Sequence, residues 1–483
     1  MGREIDRERF SEEEYVLFAE RLETSLDALR ELLARPGFGQ GPLTLGAELE
    51  LFLVTPDGRP LPRNHEVRDL VADDRVVLEL GRFNLEANLS PQPLAGRPFS
   101  ALAAEAREVV RLVDRAAAEQ GGGVVPIGIL PTLSSHDFSD DTVSDEARYR
   151  AMTRGLRRLR VEPFRIRIEG RQELELEVRG VVLESANTSW QVHLRTPPAD
   201  FDRVFNAAQL ATGPVLAVAG NSPMLFGREL WEETRVPLFE EAADDRDIER
   251  RFRREGRVAF GTDWAEGGAA EAIARCVRDY EPILPLLSEE DPAAVVKAGG
   301  VPRLEELRLH QGTVWQWNRP VYDPAGGGHL RVEMRALPAG PSVPDMVANA
   351  AFLIGLVLAL ADDPGWRADF PFAGAYRNFY RAARDGLDAA LSWPGREGET
   401  PAAELARELL PLAARGLELG GVDAEEAGRT LAVIGERIAR RRTGAVWQRA
   451  TVAGQGRDRR ATARMVTRYR ELALGGDPVH AWR

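Results

Sequence analysis

The sequence predicts an α+β protein, an antiparallel β-sheet flanked by helices with a helical C-terminal region. Three observations predict it. Four short segments alternate polar with apolar side chains, helical stretches separate them, and no Gly-x-Gly-x-x-Gly follows a strand. The last argues against a dinucleotide-binding doubly wound sheet.

The elements follow in order. Residues 11–35 carry Tyr15, Phe18, Leu22, Leu26, Leu29 and Leu33 at helical spacing, and Pro36-Gly37 ends that helix. A strand over 43–54 closes at the turn Pro56-Asp57-Gly58, and a second strand region over 75–89 stops at Ser90-Pro91. A helix over 99–119 ends at Gly121-Gly122-Gly123, and 124–130 reads as a buried strand. The polar stretch 131–145 is long enough for a lid or substrate loop, or is a plain surface connection. A basic helix over 148–160 precedes a hairpin of 173–184 with 186–196, and an apolar helix over 205–219 breaks at Gly220-Asn221-Ser222-Pro223. Residues 312–322 and 330–337 pair around the turn 323–328, and the chain is helical from about 343. The expected division is an N-terminal helical segment (1–42), a catalytic domain (43–365) and a helical extension packed on it (366–483).

The alternating segments carry the chemistry. Glu48 and Glu50 share one face of the first strand, with Ala47, Leu49 and Leu51 on the other. Glu86 and Asn88, then Gln191, His193 and Arg195, then Arg331, Glu333 and Arg335 repeat the pattern. Same-face neighbours on a strand sit roughly 6.7 Å apart. If the strands share a sheet, one face is a dry core and the other gathers carboxylates, an imidazole and guanidinium groups. That mixture suits divalent cations carrying phosphate oxygens. A half-buried sheet always alternates, so each segment alone also reads as a solvated face. The residue choice distinguishes them: solvated strand faces favour Thr and Lys, whereas these use Glu, Asn, Gln, His and Arg.

Composition narrows the classes. A formal charge of −13 over 483 residues disfavours a nucleic-acid partner. Anionic small substrates remain open, because local Arg sets their pockets. Cys276 is the only cysteine, which excludes an internal disulfide and a thiolate metal cage. Residues 1–14 lack the apolar run of a signal peptide, and the apolar run 350–361 is short of the roughly 20 residues a membrane span needs, so a cytoplasmic protein without membrane partners is expected. Lys297 is the only lysine, so there is no Gly-x-x-x-x-Gly-Lys phosphate loop and a Schiff base would have to use Lys297. Phosphate chemistry here leans on Arg and metal.

Gly46-Ala47-Glu48-Leu49-Glu50, Asn221-Ser222-Pro223 and Glu333-Met334-Arg335, with Gly312-Thr313-Val314-Trp315 ahead of the last, occur in an order that resembles the glutamate–cysteine ligase and carboxylate–amine ligase family. The resemblance spans about 43–360 and runs more weakly to Pro478-Val479-His480. It implies a glutamine-synthetase-like fold, a curved antiparallel sheet shaped into a funnel, with ATP and two or three Mg2+ ions (Mn2+ as a substitute) at its wide end. It also implies the reaction: ATP phosphorylates a carboxylate, here L-glutamate, and an amine, L-cysteine by default, displaces phosphate to form an amide, as in glutathione biosynthesis. Related enzymes often self-associate, so a homo-oligomer is among the expectations.

The resemblance and the alternation nominate the same residues. Glu48, Glu50, Glu86, His193 and Glu333 are the metal ligands, and Arg335, then Arg331, stabilise the transferring phosphoryl group, because a guanidinium grips phosphate oxygens in pairs. The competing reading has both arginines neutralise Glu48, Glu50 or Glu86. Arg235, Arg319 and Asn221 match substrate-binding positions, against a salt bridge from Arg235 to Glu232 or Glu233 and a helix-capping place for Asn221. His65, His136, His329 and His480 read as surface or satisfied groups, while His310 stays open. Arg195 and Gln316-Trp317-Asn318 depart from the family near the acceptor pocket, which puts the amine in question. Two other classes compete: a hydrolase using paired carboxylates, which leaves His193 and the arginines idle, and a non-catalytic nucleotide or amino-acid sensor.

Overall fold

The computed structural model describes residues 5–160, 162–178, 180, 182–247, 250, 253–456 and 458–483, with Asp140 described in its backbone alone. The part of the N-terminal expectation that falls on residues 1–4 lies outside the described residues. Eleven strands matter for the site. In chain order they are β1 (Thr44–Val54), β2 (Val76–Leu78), β3 (Asn84–Pro93), β4 (Gly123–Val125), β5 (Phe164–Glu169), β6 (Glu173–Val178), β7 (Trp190–Thr196), β8 (Met224–Leu225), β9 (Arg228–Glu229), β10 (Asn318–Asp323) and β11 (His329–Met334). Seven of them form one curled antiparallel sheet in the order β10-β11-β7-β1-β3-β2, with β4 also on β1.

One face of this sheet is dry because its residues alternate. Leu45, Ala47, Leu49, Leu51 and Leu53 of β1, Leu85, Ala87 and Leu89 of β3, Val192 and Leu194 of β7, and Leu330, Val332 and Met334 of β11 are all buried. Helix Pro98–Glu119 packs on β3 and β1, and helix Phe201–Ala219 packs on β10 and β11. Behind them lies helix Val343–Asp362, which is long and apolar enough to cross a membrane but is almost wholly buried inside the protein. Its neighbours are helices Phe201–Ala219, Ala402–Leu419 and Ala424–Ala439. This helix is longer than the apolar run 350–361, because Ser342 caps it and Pro344 sits in its first turn.

Several elements differ from expectation, each for a local reason. β3 does not stop at Ser90-Pro91 but runs to Pro93, because the pairing with β1 slips between Leu45 and Ala47 and the bulge absorbs those residues. The strand expected over 124–130 shortens to β4. Residues 173–184 and 186–196 are not a hairpin. β6 pairs instead with β5, placing Arg165 opposite Glu177 and Arg167 opposite Glu175, while β7 joins the main sheet between β1 and β11. Residues 312–317 lie outside the β10–β11 ladder: Trp315 and Trp317 donate their N–H groups to the carbonyls of Arg257 and Ala259, at 2.8 and 3.0 Å.

Helix Ala424–Ala439 is tied to the core helix by charge. The Arg437 guanidinium donates to Asp345 Oδ1 at 2.7 Å, Asn349 Oδ1 at 2.5 Å and the Val218 carbonyl at 3.0 Å, with both charged side chains sealed from solvent. Removing one partner of such a pair strands the other charge. Arg437→Ala should therefore lower unfolding stability by about 3–5 kcal/mol, read as the urea midpoint at constant m-value.

Candidate active site

The polar face of the sheet is the floor of a cavity of about 1850 Å³. Cross-strand register sets its contents. Glu86 of β3 lies opposite Glu50 of β1, Glu48 opposite Gln191 of β7, His193 opposite Glu333 of β11, and Glu333 opposite Arg319 of β10. The floor is thus graded in charge. Carboxylates crowd the β2–β3–β1 side, and guanidinium groups crowd the β11–β10 side.

The acidic side holds Glu48, Glu50 and Glu86, as the sequence indicated, together with Glu79 and Glu184. Burial and the neighbouring charges of Glu48 and Glu50 push the Glu86 carboxyl up to about 8. Burial, aided by Glu50, does the same to Glu184, again to about 8. Burial and the charges of Glu86, Glu50 and Glu184 raise Glu79 well above the carboxylate range. Glu50 is raised by burial, against the opposing pull of Arg335 and Arg235, and accepts from the Ser189 N–H at 2.7 Å and Gln191 Nε2 at 3.0 Å. Such a wall favours a cationic occupant.

On the basic side, Arg319 donates to Glu333 Oε2 at 2.8 Å and to the Gln311 carbonyl at 3.0 Å. Arg335 donates to Gln191 Oε1 at 3.1 Å and lies 3.7 Å from Glu333 Oε1. Burial alone would raise the Glu333 carboxyl, but Arg319 and Arg335 hold it below the usual range. Arg331 pairs with Asp323 at 2.7 Å rather than with the glutamates of the opposite side. Among the described residues, Arg335 Nη1, Arg319 Nε, Arg331 Nε and Glu333 Oε1 are buried without a hydrogen-bond partner. Unpaired buried polar atoms of both signs mark places for ligand atoms to fill.

Arg235 also borders the cavity, at the start of helix Arg235–Ala242. Its guanidinium is held by Glu233 at 3.2 Å and by the carbonyls of Ala336 and Arg335 at 3.0 and 3.3 Å, so the ion pair is buried rather than superficial.

Two nominated residues do not border the cavity. His193 is buried, with Nε2 3.4 Å from Glu48 Oε1 and no aligned hydrogen bond. Burial lowers its pKa against the pull of Glu48 and Glu333. Asn221 does not line the cavity, and its amide is fully engaged. It donates to the Ala339 carbonyl at 2.7 Å and the Tyr469 hydroxyl at 2.8 Å, and accepts from Gln448 at 2.8 Å. The loop 131–145 does not border the cavity either, whereas Ile5 and Asp6 of the N-terminal segment do. His310 is buried, with Nε2 3.2 Å from the Cys276 carbonyl.

Sequence reasoning missed Glu79, Glu184 and Phe239, which with Trp315 and Trp317 of the segments already singled out makes an aromatic wall. Glu79 follows the apolar run of β2 and so carried a weak strand-end signal; Glu184 sits in the single-turn 3-10 helix Val182–Ala186 with none. Among the described residues, no three acidic, imidazole or thiol groups converge closely enough to hold a metal ion by themselves. The unpartnered Glu333 Oε1, with Glu48, Glu50 and Glu86 on the same floor, nevertheless fits a cation that brings phosphate oxygens with it.

A curled antiparallel sheet that cups an acidic wall against an arginine wall is the architecture of a carboxylate–amine ligase. The profile of glutamate–cysteine ligase family 2 matches residues 44–468, and the chain belongs to that family. Among solved structures it is similar to the glutamate–cysteine ligase of Francisella tularensis in complex with AMP, at 12% identity and a TM-score of 0.58, covering 91% of this chain and 89% of that one. A bifunctional glutathione synthetase from Pasteurella multocida is similar at 13% identity and a TM-score of 0.48, covering 95% of this chain and 55% of that one. The ubiquitin-like protein Pup in complex with its ligase PafA gives 10% identity and a TM-score of 0.43, covering 89% and 72%. Comparison with curated protein sequences finds no match. Family and fold together support an ATP-dependent carboxylate–amine ligase.

Behind the aromatic wall, Glu240 accepts from Trp317 Nε1 at 2.9 Å and the Tyr380 hydroxyl at 2.8 Å. Enclosure pushes its carboxyl up to about 8, against those two hydrogen bonds. A carboxyl raised in the folded state contributes stability that is complete below its ordinary value of 4.5 and lost as pH rises through about 8. Glu240→Gln, neutral throughout, should therefore lose less stability than the unaltered protein between pH 6 and 9, measured by urea midpoints across that range.

Proposed function

We propose that this protein joins the side-chain carboxylate of L-glutamate to an amine at the expense of ATP, with L-cysteine as the default acceptor and glutathione biosynthesis as the setting. The observation that carries the reading is the graded floor, with carboxylates on one side and guanidinium groups on the other side of a single cavity. Glu48, Glu50, Glu86 and Glu333, with Glu79 beside them and His193 behind, would hold Mg2+. Magnesium, when bound, neutralises phosphate oxygens and polarises the transferring phosphoryl group.

The protein's own residues do the rest. Phosphoryl transfer needs alignment and charge neutralisation more than covalent help. Arg335 offers its unpartnered Nη1 to the transferring group while Gln191 and Glu333 fix its orientation. Arg319, locked by Glu333, and Arg331, locked by Asp323, present further charge to the phosphates. Arg235, which lines the cavity and is held to the Arg335 carbonyl, takes the free carboxylate of the acid substrate. The amine attacks the acyl carbon, the C–O bond to phosphate breaks, and an amide forms as phosphate leaves with the proton the amine gives up.

An ADP-release assay with glutamate and a panel of amines tests this. Amine-dependent turnover is expected, and ADP release indifferent to every amine would contradict the reading. Arg335→Ala should lower kcat by roughly 10²–10³-fold while magnesium–ATP still binds. Glu50→Gln should weaken magnesium–ATP binding itself, measured by calorimetry. Full turnover in Arg335→Ala would remove that residue from the reaction.

A further inference from the structure

We infer that Glu240 is a positioning residue that sets the amine-acceptor wall of the cavity by holding the indole of Trp317. The inference rests on the ligase reading above and adds to it a residue that touches no substrate.

The argument begins with one short helix. Arg235–Ala242 points Arg235 and, one turn on, Phe239 into the cavity, which puts Glu240 next to Phe239 but turned away. Glu240 lies on the outer side of the wall, where it borders a second, shallow cleft of about 390 Å³ together with Trp231 and Arg384. Between the two cavities stands Trp317. Trp317 is among the residues that line the large cavity, with its side chain almost wholly buried behind Phe239, whose ring it meets edge-on with centroids 6.0 Å apart, and its Nε1–H ends on Glu240. Arg235 stands 6.0 Å over the same ring.

The carboxyl is held as well. Tyr380, on helix Phe372–Asp385, donates to the same Oε1, and its ring packs against Phe379 and Tyr376 with centroids 5.1 and 4.7 Å away. Phe379 in turn lies 5.6 Å from Trp317. The indole is thus fixed at its nitrogen by Glu240 and at its faces by rings. An indole N–H has only donor capacity, so without an acceptor at this place it would turn toward water or another oxygen. In either case Trp317 would leave its place in the wall.

That place is next to the reacting centre. The Trp317 carbonyl accepts the Arg335 N–H at 3.0 Å, so the indole and the phosphoryl-binding guanidinium are mounted on paired segments. The phosphates and the acid substrate are served by arginines and the cations by carboxylates. The body of the attacking amine is the remaining component, and Phe239 and Trp315, backed by the buried Trp317, form an apolar surface for it.

The test is a set of variants assayed with saturating magnesium–ATP and glutamate. Glu240→Ala should raise the KM for the amine on the order of tenfold, the scale of one net hydrogen bond, with kcat within about twofold. Glu240→Gln keeps a carbonyl oxygen for the indole and should restore the KM. Trp317→Phe should raise it equally, and the double variant should be no worse than either single one, because both remove one contact. A structural role alone would lower the active fraction and leave KM in place. A second readout needs no turnover: the Trp317 Nε1–H resonance, identified by its loss in Trp317→Phe, should be protected from solvent exchange in the unaltered protein and in Glu240→Gln, and exposed in Glu240→Ala. A protected resonance in Glu240→Ala, additive effects, or a shift in the KM for ATP instead of the amine would each overturn the inference. Absence of turnover in the unaltered protein would count against the ligase reading alone.

Discussion

Antiparallel register is the constraint on which the site depends. Side chains alternate faces, so a slip of one residue in any pairing would bury that strand's charges in the apolar core. The pairings Glu86–Glu50, Glu48–Gln191, His193–Glu333 and Glu333–Arg319 therefore fix fold and site together. The apolar half of each strand specifies the register, and the polar half inherits it. Helices Phe201–Ala219 and Val343–Asp362 lie behind that apolar face and leave little room for an alternative.

The charge gradient follows from strand order. β3 and β1 are neighbours and both carry glutamates, so the Glu86 carboxyl, buried and crowded by Glu48 and Glu50, is raised. β11 and β10 bring arginines to Glu333, whose carboxyl is held low. Gln191 lies between the two regimes and touches both, donating to Glu50 and accepting from Arg335. Glutamate residues on one sheet thus differ in electrostatic state because their neighbours differ. A ligand with cationic metal at one end and anionic phosphate at the other matches that polarity.

Much of the site was legible because alternation is a local signal. Glu48, Glu50, Glu86, Arg331, Glu333 and Arg335 were readable from their own strands, and the structure places them on one cavity wall. Strand partners were less legible. The strong alternation of β5 and β6 looks the same whether a strand joins the main sheet or a separate hairpin, and only tertiary packing decides. Glu184 lies in the short 3-10 helix Val182–Ala186 and Glu240 on the short helix Arg235–Ala242, both too brief for a period to mark a functional group. Asn221 illustrates the converse: a motif position with a suggestive chemistry is occupied wholly by Ala339, Tyr469 and Gln448.

The most direct test of this polarity is a crystal of the protein grown with magnesium and a non-hydrolysable ATP analogue. The account predicts phosphate oxygens against Arg319, Arg331 and Arg335, with cation density between them and Glu48, Glu50, Glu86 and Glu333. Nucleotide bound outside the cavity, or phosphates seated away from the arginine wall, would contradict it.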